Sequence, residues 1–307
     1  MKSRNIQYII GTIVLVLLLP INIFAKPPIN IHVSILPQKY FVERIGKDHV
    51  KVDVLVKPGK NPSTYSPSPD QIKHLMSCDV YFRIGMPFEN GILHKIKSMT
   101  GAMIVDTRNN IKLRKMKSLH SHDNNETHNI SGHDPDEKEQ HGAMGKDPHI
   151  WMNPLMVKTQ ALTIFQTLSS IDPDNRHDYK NNYTQFAKDL DELDHHLKTI
   201  LKKFKGKNLF VFHPSFGYFT DAYGLEQIAI ETMGKAPKGK TLSTIIKLAK
   251  QQNAEVIFVQ PQFDRNTAIK IATAINGEVV PIDPLAYDYP VNMKTIAKTI
   301  AKALRDE

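Results

Sequence analysis

Over most of its length the chain alternates short apolar runs with stretches in which apolar residues recur every three or four positions. Residues 29–36, 50–56, 79–84 and 103–106 are rich in β-branched side chains and read as strands. Between them, 38–45, 70–76 and 89–98 have helical spacing, the second opened by Ser68-Pro69-Asp70. The same rhythm returns later: 208–212, 227–231, 255–260 and 278–282 read as strands. They are interleaved with helices at 216–223, 242–251 and 265–275 and closed by one at 293–304. Strands that alternate with helices imply parallel sheets covered on both faces.

Two longer helical patterns separate these halves. One starts at Pro154 and runs to about Leu168. The other follows Asp172-Pro173-Asp174, with Tyr179, Tyr183, Phe186, Leu190, Leu193, Leu197, Ile200 and Phe204 on one face. A helix of that length reaches about 40 Å, enough to lie along two lobes. His195 and His196 fall on its polar side. The expected fold is α/β: two Rossmann-like lobes with parallel sheets, joined by one long rigid helix. The expected boundaries are 26–172 for the first lobe, 173–204 for the connecting helix and 205–307 for the second lobe.

Residues 118–146 break the pattern. They carry almost no large apolar side chains, so they read as disordered in the absence of a ligand. The segment holds His120, His122, His128, His133 and His141, a density that suits weak metal binding; an inert solvated linker is the other reading.

The first 25 residues read as an export signal: Lys2 and Arg4, an apolar run from Tyr8 to Phe24, and the small Ala25. An uncleaved membrane anchor is the alternative, disfavoured by Pro20. Cys78 is the only cysteine, so no disulfide forms within one chain, and none stands near the cleavage point to carry a lipid. A free periplasmic protein is the expectation. The net charge of +9 is spread along the chain without an aromatic-studded basic motif, which argues against nucleic acid as a partner.

Three metal-capable side chains sit at element ends: His149 in Asp147-Pro148-His149, His213 in Phe212-His213-Pro214 and Asp283 in Ile282-Asp283-Pro284. His213 and Asp283 follow expected strands, where open parallel sheets bind ligands. Two neutral imidazoles and a carboxylate suit Zn²⁺. Each also has a bland reading, as a turn residue or a hydrogen-bonded core histidine.

Taken together, five segments resemble a known family. They are 58–69 (PGKNPSTYSPSP), 147–154 (DPHIWMNP), 212–219 (FHPSFGYF), 257–262 (IFVQPQ) and 282–285 (IDPL). The chain is similar to the ZnuA/TroA-like zinc- and manganese-specific solute-binding proteins of bacterial ABC importers, over essentially everything after residue 25. The resemblance implies two α/β lobes, a connecting helix and a metal between the lobes, with His149, His213 and Asp283 as ligands. The family pattern has histidine where this chain has Ser63, and a neutral hydroxyl is a poor zinc ligand. Gln260 stands where many relatives have glutamate. Histidine at 213 resembles zinc members, since manganese members tend to have glutamate there.

The expected function is therefore capture of Zn²⁺, with Mn²⁺ second, and delivery to an inner-membrane ABC permease by a monomeric, non-catalytic protein. An importer for manganese or iron with an altered site is the alternative implied by Ser63. A secreted zinc hydrolase is a rival from another class, opposed by the lack of a His-Glu-x-x-His helix. A metal-buffering or adhesion protein that works through its histidine loop is a second rival.

Overall fold

The computed structural model describes residues 26–99, 101–116, 145–231 and 236–304. The expected signal and the five loop histidines lie outside these residues.

The first sheet has strands β1 (Ile29–Val33), β2 (Val50–Val54), β3 (Val80–Arg83) and β4 (Met103–Asp106), in the order β2-β1-β3-β4. All neighbours are parallel. Helices α1 (Leu36–Gly46), α2 (Pro69–Leu75) and α3 (Pro87–Met99) connect them. The Ser68-Pro69-Asp70 start works as read: Ser68 Oγ accepts from Gln71 N, and the Gln71 side chain accepts from Ser68 N, a capping box. Edge strand β2 alternates buried and exposed residues, because only one of its faces is covered.

Helices α4 (Pro154–Ile171) and α5 (Arg176–Leu201) form an antiparallel pair that leads to the second half. Asn153 caps α4, its Oδ1 accepting from Leu155 N at 2.9 Å. The apolar stripe of α5 is buried as read at Tyr179, Phe186, Leu190, Leu193 and Leu197, and partly buried at Tyr183 and Ile200. The helix ends earlier than expected, because the chain tightens into a 3₁₀ turn at Lys202–Phe204.

The second sheet repeats the first. Its strands are β5 (Asn208–Val211), β6 (Glu226–Ala229), β7 (Val256–Val259) and β8 (Glu278–Pro281), parallel and ordered β6-β5-β7-β8. Helices α6 (Gly217–Tyr223), α7 (Gly239–Gln251), α8 (Arg265–Ala274) and α9 (Tyr289–Ala303) complete it. Strand periodicity is visible in the packing. On β5, Leu209 and Val211 enter the core shared with α5 and α9, while Phe210 points to the core under α7 and α8. In each sheet the order reverses beside the first strand, so the central strands part at their carboxyl ends and open a crevice.

Candidate metal centre

His149 is fixed by local geometry. Asp147 Oδ1 accepts from His149 N at 3.0 Å and lies 2.7 Å from the ring Nδ1. The chain then tightens into a 3₁₀ turn at Ile150–Met152 and enters α4. This holds the imidazole, 3% exposed, with Nε2 turned away from Asp147.

His213 belongs to the other lobe. It lies just beyond β5, where β5 and β7 part, and Gln260 closes that gap: His213 N donates to Gln260 Oε1 at 3.1 Å, and Gln260 Nε2 donates to His213 O at 2.8 Å. The ring stacks on Phe263 at 4.6 Å between centroids, and its Nδ1 bonds the carboxylate of Glu231, just past β6. Burial lowers the His213 pKa, and the neighbouring His149 lowers it further, while the Glu231 carboxylate pulls it upward. The net effect is downward, which favours the neutral ring that a metal requires.

The two Nε2 atoms face each other at 3.3 Å. Each imidazole thus has a carboxylate behind Nδ1 and a free edge in front. A carboxylate on the far nitrogen fixes tautomer and orientation and raises basicity, the usual support for a metal-binding histidine. The cleft between the rings is also lined by Asn61, Ser63, Met86, Ser215 and Gln262, and encloses about 10 Å³. That is near the volume one water-sized body occupies, so the space suits a single ion and not an organic molecule.

Of the three candidate ligands, the structure brings together His149 and His213. Asp283 Oδ1 is engaged elsewhere, accepting from Gln262 Nε2 and from Leu285 N, each at 2.9 Å. The turn that follows β8 uses this carboxylate to satisfy its own backbone. Among the described residues no three His, Cys, Asp or Glu side chains are grouped closely enough to hold one ion. Ser63 lies at the cleft, in a 3₁₀ turn capped by Asn61. Glu231 went unnoticed in the sequence: a lone glutamate after a strand carries no motif, and its contact with His213 exists only through the pairing of β5 with β6.

A family model described as the periplasmic component A of the zinc-uptake complex, ZnuA, matches residues 31–303. The chain belongs to the ZnuA family. The high-affinity zinc uptake system protein ZnuA of Bacillus subtilis is 27% identical over 255 residues, covering 82% of this chain and 75% of that protein. A crystal structure of a ZnuA superposes with a TM-score of 0.78 at 37% identity, covering 90% of this chain and 99% of that one. The periplasmic zinc-binding protein TroA of Treponema pallidum shares the fold, with a TM-score of 0.75 at 17% identity over 90% of this chain and 99% of its own. Membership makes the chain a metal-binding, solute-binding component of an importer of the periplasmic or extracellular type. No helix among the described residues is long and apolar enough to cross a membrane.

Proposed function

We propose that this protein captures Zn²⁺ in the cleft between its lobes and delivers it to an inner-membrane ABC permease. Residues 1–25 act as the export signal that places it in the periplasm. The observation that carries this reading is the pair of buried imidazoles, one from each lobe, meeting edge to edge with a carboxylate behind each. His149 and His213 are the primary ligands, and imidazole nitrogen favours Zn²⁺ over Mn²⁺. Asp283 joins them on giving up its bond to Gln262. Otherwise water, Ser63 or a loop histidine (His120, His122, His128, His133 or His141) completes the shell. Relatives named for high-affinity zinc uptake support the choice of metal. The small space between the rings suits a single ion.

Isothermal titration with zinc tests the assignment. The His149→Ala plus His213→Ala double variant is expected to lose the tight phase and to keep the weak sites of the loop. Tight binding that survives the double substitution rejects the site.

A further inference from the structure

Lysines that are scattered along the sequence are gathered by the fold. After Asp194, the last two turns of α5 and the strand entry that follows contain no acidic residue, and neither does α9. Lys202, Lys203 and Lys205 project from one of these segments and Lys294, Lys298 and Lys302 from the other, all six exposed. The α9 lysines repeat every four residues, so they form one stripe along the outer face of the helix. The opposite face buries Met293, Ile296, Ala297 and Ile300 against the core shared with α5. Helices α5 and α9 pack side by side, and a shallow groove of about 380 Å³ between them is walled by Lys203, Lys298 and Lys302.

Among the described residues these charges have no acidic partner. The nearest acid on α5, Asp194, is almost fully buried and is taken by Lys198 at 2.7 Å and by Tyr223 at 3.3 Å. Asp221, beside the same end of α5, pairs with Arg114 at 3.5 Å. None of the six lysines forms an ion pair among the described residues.

The chemistry of the face selects its partner. Lysine is depleted from protein–protein interfaces, which rely on aromatic and arginine anchors. Among the described residues, the turns that carry the six lysines have no exposed tyrosine, phenylalanine or tryptophan for stacking on bases and no arginine fork for bidentate phosphate recognition; Arg176 lies at the far end of α5, and the exposed rings nearby are the imidazoles of His195 and His196. Flexible point charges spread over α9 and the neighbouring turn after α5 match a surface whose negative charges move to meet them. We infer that the lysine face formed by α9 and the turn that ends α5 docks reversibly on an anionic phospholipid surface. The attraction is electrostatic, so it falls off within a Debye length and weakens with salt.

Cosedimentation with vesicles tests this, using exported protein stripped of metal with a chelator. Vesicles of phosphatidylglycerol in phosphatidylcholine should pellet the protein at low salt, and phosphatidylcholine alone should not. Reversal of the stripe (Lys294→Glu, Lys298→Glu and Lys302→Glu) should weaken vesicle binding at least about 100-fold, on the scale expected for charges at an anionic membrane. A control triple, Lys240→Glu, Lys247→Glu and Lys250→Glu on α7, makes the same change in net charge on the far side of the sheet and should bind nearly as well as the parent. Zinc titration and thermal melting of each variant establish that it is folded. Equal losses in the two triples mean that net charge alone is sensed and overturn the face. Retention on immobilised heparin without pelleting on vesicles overturns the lipid assignment in favour of an acidic polysaccharide. Failure to pellet under any of these conditions also overturns it.

Discussion

At the residue scale, the proposed site is two imidazoles whose outer nitrogens are held by carboxylates. Glu231 should therefore matter without touching the metal. Glu231→Gln keeps a hydrogen-bonding group of the same shape but removes the charge that makes His213 a stronger donor. Zinc affinity is expected to fall about 10- to 100-fold, with the melting temperature little changed; a variant that binds like the parent shows that Glu231 is only packing. Ser63 gives the opposite test. It lines the cleft with both histidines, so Ser63→His places a third imidazole where a neutral hydroxyl now stands. Titration should show zinc held at least about tenfold more tightly. The metal-capable residue types were legible in the sequence because histidine and aspartate beside proline mark element ends. The supporting carboxylates were not, since Asp147 and Glu231 acquire their roles from a turn and a strand pairing. Asp283 fits the turn reading that its place before Pro284 also offered, since its Oδ1 accepts from Leu285 N.

At the scale of elements, nearly every strand and helix was legible, because binary patterning and caps act locally. The misses are at the ends, where tertiary hydrogen bonding takes over. Strand β5 is bounded at Val211, although Phe212 keeps one bond on each side, its N donating to Phe258 O at 2.8 Å and its O accepting from Glu231 N at 2.9 Å; the chain leaves the sheet only at His213, whose backbone pairs with the Gln260 side chain. The junction of α4 and α5 shows another tertiary effect. Asp172 is buried and accepts from Tyr179 Oη at 2.6 Å, Asn175 Nδ2 at 2.7 Å and Lys26 Nζ at 2.8 Å. Burial alone would raise its pKa, but these donors outweigh burial and bring it down to about 2. A carboxylate whose folded pKa lies below its unfolded value stabilises the protein above the unfolded value of about 4, and loses that contribution as pH falls toward the folded one. Urea unfolding at about pH 6 and about pH 3 should show part of the parent's acid sensitivity missing in Asp172→Ala. At neutral pH that variant should be less stable by about 1–3 kcal/mol, the cost of a buried Tyr179 hydroxyl left without its acceptor. Equal acid sensitivity in the two proteins would assign the loss to other groups.

At the scale of the whole molecule, two lobes were expected and two sheets are present, but their packing is continuous. One core runs from Ile31 and Val33 of the first sheet through Phe186 and Leu190 of α5 to Met293 and Ile296 of α9. Hydrogen bonds cross the cleft as well. Trp151 Nε1 donates to Pro284 O at 2.8 Å, Tyr289 Oη to Trp151 O at 2.8 Å, and Tyr218 Oη to Asp147 O at 2.8 Å. Wide opening about a hinge would expose Trp151, now 1% exposed, and break these bonds together. The sequence could not show this, because a tryptophan after a histidine motif does not reveal which lobe it packs against. Metal loading should therefore adjust side chains in the cleft and not swing the lobes. Small-angle X-ray scattering of metal-free and zinc-loaded protein should give radii of gyration that agree within about 1 Å, the range of backbone shift in preorganised binding. Trp151 is the only tryptophan and its ring lies 5.2 Å from that of His149, so its fluorescence should still change on zinc addition. Shared core and shared hydrogen bonds also couple the lobes in unfolding, and Trp151 emission and far-ultraviolet circular dichroism should report one coincident transition. A large change in radius, or a second-lobe transition separate from the first, would show that the interlobe contacts are too weak to keep the two imidazoles in register without the ion.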